Sequence, residues 1–204
     1  MLYFCAMEPQ KPIEQHPLQP FLPDGARLLM LGSFPPKRER WSMDFFYPNW
    51  INDMWRIVGL LFFEDKNHFV FESEKRFDKE RIVEFCSMKG LALYDAASAV
   101  RRLQDNASDK FLEVVERTDI GALLDRCPTL WAIVTTGEKA TDQVVEQFAC
   151  EKPKVGEKVE IQHAGRTLHF WRMPSSSRAY PLSLEKKADF YGKLFRSCGI
   201  LTEK

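Results

Sequence analysis

The hydrophobic positions of this chain follow two patterns, short continuous runs and longer segments with a helical period. Continuous apolar runs are typical of strands buried on both faces of a parallel sheet, and they occur at Arg27–Leu31, Gly90–Tyr94 and Leu130–Val134. Helices are predicted at Asn49–Phe62, Glu74–Met88, Ile120–Asp125, Glu138–Phe148 and Ser183–Cys198, the last with Ser183 as N-cap. Lys158–Trp171 predicts two strands that turn at Ala164-Gly165, and Phe111–Thr118 fits either a strand or a helix.

Strands that alternate with helices predict an α/β fold, a three-layer α/β/α sandwich with a central, mainly parallel sheet. The length of 204 residues suits one such domain. The segment 8–23 contains five prolines. Because proline fixes φ and removes a backbone donor, we predict an extended arm there, held against the domain by Leu18, Phe21 and Leu22. We therefore divide the chain into a Pro-rich N-terminal arm at 1–20 and a single domain at 21–204.

Composition narrows the class of protein. The 29 basic and 29 acidic side chains give a net charge of zero, which counts against a broad nucleic-acid surface but allows one short basic face. The five cysteines are scattered and form no C-x-x-C pair, so zinc and iron–sulfur sites are not expected. Such thiols are typical of reduced, cytoplasmic proteins. No apolar run approaches the roughly 20 residues of a membrane span, and we expect no membrane partner.

Ligands of open parallel sheets bind beyond the carboxyl ends of the strands. Four segments take such positions here, Gly32–Arg40, the residues from Asp95 onward, Thr135–Lys139 and Met173–Arg178. A glycine after a buried strand lets the backbone approach a ligand, but the two following prolines remove the donors that a phosphate-binding loop needs. A rigid turn fits that segment equally well. The three serines of the last segment can donate to phosphate oxygens, although a plain helix-capping loop has the same composition.

Six of these stretches together resemble one family. Gly32-Ser33-Phe34-Pro35, Phe45-Phe46-Tyr47 and Asn52-Asp53-Met54-Trp55 resemble the G-S-F-P-S, F-Y-Y and N-R-F-W segments of the hypoxanthine-DNA glycosylase branch of the uracil-DNA glycosylase superfamily. Gly90–Asp95, Thr136–Ala140 and Met173–Ala179 are similar to its G-I-A-L-W-D strand, its G-x-x-A turn and its L-P-S-T-S-P-A loop. The mismatch-specific uracil-DNA glycosylases have a related arrangement that opens with G-I-N-P-G. The segments follow in order over nearly the whole chain.

The resemblance implies a monofunctional, cofactor-independent DNA glycosylase. Such an enzyme hydrolyses the N-glycosidic bond of a damaged or deaminated base, here of the hypoxanthine or uracil class, after the base has left the stack. By the same resemblance, Tyr47 stacks on the flipped base, and the other base-binding residues are Ser33, Phe34 and Phe46. No metal is implied, and we expect His163 and His169 to be exposed strand residues rather than ligands.

The catalytic assignment rests on one departure from the uracil-removing relatives. Those enzymes carry Asp or Asn in the first motif to orient the attacking water, and the matching residue here is Phe34. The hypoxanthine branch also has Phe there and relies on the Asn of its N-R-F-W segment, which matches Asn52. We therefore expect Asn52 to position water or contact the base, with Asp44 and Asp95 as further candidates.

The resemblance also implies how DNA is held. The serine loop Ser175, Ser176 and Ser177 would grip phosphates, with Arg178 or Tyr180 entering the gap left by the flipped base. Lys37 and Arg38 would add positive charge beside the pocket, although a solvated basic run has the same sequence. The expected partner is damaged double- or single-stranded DNA, bound by a monomer.

Two alternatives stay open at this point. Phe34 and the zero net charge also fit a catalytically weak or inactive nucleic-acid-binding member of the same fold. The same cleft also fits an enzyme that acts on a small substrate, such as a nucleoside hydrolase.

Overall fold

The computed structural model describes residues 11–104 and 111–202. In chain order its strands are β1 (Ile13–Gln15), β2 (Leu28–Gly32), β3 (Val70–Phe71), β4 (Arg76–Phe77), β5 (Leu91–Asp95), β6 (Ala97–Arg102), β7 (Leu112–Arg117), β8 (Ala132–Thr135), β9 (Lys158–His163) and β10 (Arg166–Arg172). Its α-helices are α1 (Met54–Phe63), α2 (Lys79–Lys89), α3 (Ile120–Arg126), α4 (Glu138–Phe148) and α5 (Leu184–Ser197), with a short 3₁₀ turn at Arg38–Arg40.

The central sheet contains five strands in the order β5-β2-β8-β10-β9. The first four run parallel, and β9 pairs antiparallel with β10. Every residue of β2, β5 and β8 is buried. This burial on both faces is the physical reason why these strands have continuous apolar runs instead of alternation.

Helices cover both faces of this sheet. Parallel strands are joined by right-handed crossovers, so the connections β2-to-β5 and β8-to-β10, which progress in opposite directions, place their helices on opposite faces. On one face, the Phe62 ring of α1 lies 4.9 Å from Phe85 of α2 and 5.4 Å from Phe195 of α5. On the other face, the Gln147 side chain of α4 accepts the Ile120 N–H of α3. The predicted α/β/α sandwich is confirmed.

A second, antiparallel sheet with the order β1-β6-β7 joins the arm to the domain. β1 pairs with β6, with Ile13 opposite Arg101. Further along the arm, Phe21 forms a bridge with Leu93 of β5. Leu18, Phe21 and Leu22 pack against the main core, as predicted. The arm is thereby held beside β5 and β6, next to the carboxyl ends of the parallel strands.

Three local predictions differ from the structure. The first helix begins at Met54 rather than Asn49, because residues 49–53 form a turn in which the Asn52 side chain accepts the Met54 N–H, and Ile51 is exposed. The second helix begins at Lys79, since the preceding residues form the β3–β4 hairpin and Asp78 caps the helix by accepting the Arg81 N–H. The undecided segment near 111–118 is the strand β7, and its partner β6 was not predicted.

Two further features of the described residues concern membrane spans and thiols. None of its helices is long and apolar enough to cross a membrane. Its four cysteines, Cys86, Cys127, Cys150 and Cys198, are free thiols.

Candidate active site

A cleft of about 640 Å³ opens at the carboxyl ends of the parallel strands. The pairing register brings these strand ends together, with Gly32 of β2 opposite Asp95 of β5, and Thr135 of β8 opposite Arg172 of β10. The loops that follow the four parallel strands therefore converge on one place. All four segments that the sequence placed at strand ends contribute residues to the cleft or border it.

The floor of the cleft consists of Gly32 and Asp95. An ideally placed Cβ on Gly32 would lie 2.2 Å from Asp95 Oδ1, so only glycine allows the carboxylate to lie there. Asp95 is 8% exposed. It is the single acidic side chain among the described residues that line the cleft. A buried carboxylate needs hydrogen-bond donors to remain charged.

His16 supplies such a donor from the arm. A hydrogen bond of 2.9 Å joins its Nε2 to Asp95 Oδ2, and the His16 side chain is 2% exposed. Sequence reasoning missed this residue because the pair is separated by 79 positions and the arm was interpreted by its prolines and apolar residues. The one available signal was a histidine within that otherwise unremarkable segment.

Aromatic side chains form one wall of the cleft. Phe34, Phe46 and Tyr47, all predicted base-binding residues, line it together with Ser33. Tyr47 adopts a left-handed backbone conformation with φ of 51°, and its hydroxyl lies 3.2 Å from Thr136 Oγ1. Burial raises the pKa of Tyr47 well above its ordinary value, with the nearby Asp95 carboxylate adding to the effect. The phenol is therefore a neutral hydrogen-bonding group.

Asn52 also lines the cleft. Its Oδ1 accepts the Met54 N–H at 2.9 Å, which fixes the side chain at the start of α1. Its backbone forms a bridge with Ser177, so the predicted catalytic amide and the predicted serine loop are directly joined. The amide nitrogen can donate a hydrogen bond to a ligand, and the second lone pair of Oδ1 can accept one.

The serine loop is anchored by a buried ion-pair network. Asp53 is 6% exposed. Its carboxylate accepts hydrogen bonds from Lys187 Nζ at 3.0 Å and from Arg178 Nε at 2.8 Å. Lys187 is fully buried and also donates to the Ser177 carbonyl at 2.8 Å. The Asp53 N–H donates to the Ser176 carbonyl at 2.8 Å. The loop is thus held rigidly against the first turn of α1.

Within the loop, the serine hydroxyls have local partners. Ser175 Oγ accepts the Ser177 N–H, and Ser177 Oγ accepts the Ala179 N–H, each at 3.2 Å. Ser176 is buried at 2% exposure. All three serines line the cleft, as does Tyr180.

The structure does not bring every predicted site residue to the cleft. Asp44 is exposed and pairs with Arg38, which also stacks over the Trp41 ring at 3.9 Å. Lys37 and Arg38 lie on the exposed segment that follows the cleft-lining Pro36. Arg178, through its pairing with Asp53, borders a neighbouring cavity of about 380 Å³ instead.

A second residue that sequence reasoning missed is Arg102 of β6. It is 6% exposed, pairs with both carboxylate oxygens of Glu14 at 3.1 and 3.0 Å, and donates to the Pro35 carbonyl at 3.1 Å. Arg102 therefore ties the arm to the Gly32–Pro36 loop. No local pattern indicates this role, because Arg102 and its two partners come from distant parts of the chain.

Among residues 11–104 and 111–202, no group of three or more His, Cys, Asp or Glu side chains is arranged to hold a metal ion. His163 and His169 are half-buried rather than exposed. His163 Nε2 forms a hydrogen bond of 2.7 Å with Asp125 Oδ1. Its role is local to the hairpin and α3.

Fold and site together define an α/β protein with a ligand cleft at the carboxyl edge of its sheet. No protein-family model matches the sequence, and no curated protein matches it. Among solved structures, the chain is similar to an NMR structure described as "a putative Uracil DNA glycosylase from Methanosarcina acetivorans", with a TM-score of 0.59 and 20% identity. The match covers 92% of this chain and 99% of the other. At this identity, the likeness shows a shared fold.

Proposed function

We propose that this protein is a DNA glycosylase of the uracil-DNA glycosylase superfamily, which hydrolyses the N-glycosidic bond of a damaged or deaminated base. The observation that carries the proposal is the position of Asp95, a buried carboxylate facing a cleft with an aromatic wall. The cleft of about 640 Å³ is large enough for a nucleotide. The hypoxanthine or uracil class of base is the substrate we propose, because the segments around Phe34 and Asn52 resemble that branch.

The aromatic wall suits a base that has left the DNA stack. A flipped base gains stacking contacts with Tyr47, Phe34 and Phe46 that replace those lost in the duplex. The Tyr47 hydroxyl and Thr136 Oγ1, 3.2 Å apart, offer polar contacts for the base edge. The nonpolar Phe34 offers no group that binds water, so we assign the water-positioning role to Asn52.

The hydrolytic step divides between Asp95 and Asn52. As the bond between the base and C1′ breaks, the bonding electron pair leaves with the base and the sugar gains oxocarbenium character. The Asp95 carboxylate stabilises this positive charge, and Asn52 holds a water against C1′. The water oxygen bonds to C1′, and its proton passes through Asp95 to the departing base. The products are the free base and an abasic site.

The serine loop and the adjacent basic residues would hold the DNA. Ser175 and Ser177 lie at the cleft on a loop that the Asp53 network keeps rigid, which suits phosphate contacts. Tyr180 lines the cleft, whereas Arg178 is paired with Asp53, so we assign the entry into the gap left by the base to Tyr180. Lys37 extends the surface on the other side.

We further propose a monofunctional enzyme that needs no cofactor and acts as a cytoplasmic monomer. A glycosylase that also cuts the strand uses an amine to form a Schiff base, and the described residues that line the cleft include no lysine. The scattered thiols fit a reducing compartment.

The test is an assay of free base released from duplexes that contain hypoxanthine, uracil, xanthine or an alkylated base. We expect release from a hypoxanthine or uracil duplex, and a loss of about 100-fold or more in Asn52→Ala and Asp95→Asn. Asp44→Asn makes the same chemical change outside the cleft and is the matched control. Salt-sensitive DNA binding without release would identify a non-catalytic member of the fold. Cleavage of free nucleosides alone would identify a nucleoside hydrolase.

A further inference from the structure

We propose that His16, contributed by the N-terminal arm, is a positioning residue for Asp95 in the glycosylase reaction. The inference rests on the proposed function and adds to it a residue outside all the segments that resemble the superfamily. Its basis is the contact between His16 Nε2 and Asp95 Oδ2 at 2.9 Å. An ionised carboxylate only accepts hydrogen bonds, so Nε2 carries the proton in this pair.

The other ring nitrogen is fixed by the backbone of the arm. His16 Nδ1 lies 2.9 Å from the Leu18 carbonyl oxygen and 3.1 Å from the Leu18 nitrogen. It therefore donates to Leu18 O when protonated, and accepts the Leu18 N–H when it is not. Either state leaves the Nε2 proton directed at Asp95. The His16 N–H itself donates to the Ser98 carbonyl at 2.8 Å, which continues the pairing of β1 with β6.

Three aromatic rings enclose the imidazole. Its centroid lies 4.6 Å from Tyr94, 5.3 Å from Phe34 and 6.3 Å from Phe46. With 2% of the side chain exposed, water has almost no access to the pair from this side. A charge-assisted hydrogen bond is stronger in such surroundings than in water. The rings also prevent the imidazole from turning away from the carboxylate.

This arrangement leaves the two oxygens of Asp95 with different roles. Oδ2 is held by His16, whereas Oδ1 lies directly over Gly32, where a Cβ would be only 2.2 Å away. The carboxylate is therefore fixed in rotation, with Oδ1 held over Gly32 at the floor of the cleft. Arg102 strengthens the same attachment by pairing with Glu14 at 3.0 Å, two residues before His16. The arm is in this way a working part of the active site.

The test compares His16→Ala, His16→Gln and the control Gln15→Ala in single-turnover base release at saturating lesion DNA. Gln15 is the exposed neighbour of His16 in β1 and leaves the Asp95 contact intact. Since a displacement of about 1 Å at a reacting group can cost 100-fold in rate, we expect a loss of about 100-fold for His16→Ala. The affinity for lesion DNA should change less than about threefold, because His16 is shielded from the ligand. His16→Gln keeps an N–H donor and should retain more activity.

The reaction rate in the presence of added imidazole distinguishes a positioning role of His16 from a merely structural one. Imidazole should restore part of the rate of His16→Ala, by entering the space left by the ring, and should not affect Gln15→Ala. If His16→Ala does not fold, His16→Leu is used in its place, because leucine fills the space of the ring without offering a hydrogen-bond donor. His16→Gln is then the variant that restores a donor.

A folded His16→Ala or His16→Leu with the wild-type rate would overturn this inference while leaving the glycosylase intact. A loss that matches the unfolded fraction, or one found only in DNA affinity, would also overturn it. A wild-type protein that releases no base would overturn the proposed function itself, and that result appears before any variant is compared.

Discussion

Gly32 and Asp95 are the two residues whose identities depend on each other most closely. They end adjacent parallel strands in register, and the carboxylate takes up the space of the missing Cβ. The sequence indicated a ligand-approach glycine at position 32, but which side chain approaches it is set by strand order. A glycine that makes room for protein rather than ligand cannot be recognised from the local sequence.

Replacing Gly32 tests this dependence. Gly32→Ala places a methyl group against Asp95 Oδ1 and must displace the carboxylate, with a cost in stability of about 1–3 kcal/mol and a loss of about 100-fold in base release. Gly121→Ala in α3 is the control, since its nearest neighbours, His163 Cε1 at 3.2 Å and Asp119 Oδ1 at 3.3 Å, belong to residues that do not line the cleft. Thermal unfolding and single-turnover release measure the two effects. A Gly32→Ala protein with undiminished activity would show that Asp95 is not held where catalysis needs it.

Tyr47 offers a separate test of base stacking. Tyr47→Ala removes the ring and should lower base release by about 10- to 100-fold, since stacking on one aromatic residue contributes about 1–3 kcal/mol. Tyr47→Phe keeps the ring and loses only the contact with Thr136, so its loss should stay below about 10-fold. Equal losses in both variants would assign the role of Tyr47 to its hydroxyl instead.

At the scale of elements, the docking of the serine loop on α1 depends on one buried carboxylate with two unequal partners. Lys187 is fully buried, whereas the Arg178 side chain is 44% exposed. Because solvent screens the exposed partner, the stability contribution comes mainly from Lys187. Sequence reasoning assigned Arg178 to DNA and overlooked Lys187, because a lysine on an amphipathic helix is normally exposed.

Urea unfolding of two variants tests this division. Asp53→Ala leaves the buried Lys187 ammonium without its carboxylate and should lower the free energy of unfolding by about 3–5 kcal/mol. Arg178→Ala should lower it by less than about 1 kcal/mol. Comparable losses in the two variants would contradict the proposed anchoring of the loop.

The parts of the fold that could be predicted are those with local signals. Buried parallel strands have continuous apolar runs, as at 28–32, and Ser183 caps the last helix by accepting the Lys186 N–H. The hairpin at 158–172 was also predicted, since its turn contains Gly165. β6 was missed because its sequence, Ala97–Arg102, neither alternates nor forms an apolar run. Its conformation is imposed by pairing with β1 and β7.

At the scale of the whole molecule, the same division between local and distant signals holds for the site. Loops at the carboxyl ends of parallel strands converge because of the topology, so a cleft at this edge followed from the sequence. The aromatic residues of its wall were expected from the family resemblance alone. Arg102 lines the cleft, and His16 contacts the Asp95 carboxylate, because the second sheet pairs β1 with β6, a strand distant from β1 in the chain. The second sheet therefore joins the arm to the cleft.

The neutral overall charge predicts how strongly DNA binding depends on salt. With 29 basic and 29 acidic side chains, we expect few phosphate contacts and a slope of log K against log salt no steeper than about −4. Lys37→Ala should reduce the slope by about 0.9, as the loss of one phosphate contact does. A steep slope unaffected by Lys37→Ala would place the DNA on a different surface.

The central claim is that the cleft around Asp95 and Asn52 breaks an N-glycosidic bond. The most direct measurement is the single-turnover rate of free-base release from hypoxanthine and uracil duplexes by the wild-type protein and by Asp95→Asn, with Asp44→Asn as control. We predict that the wild type and the control yield equal amounts of free base and abasic site, and that the rate is lower by about 100-fold or more in Asp95→Asn. Equal rates in the wild type and Asp95→Asn, or no release by any of them, would contradict the account.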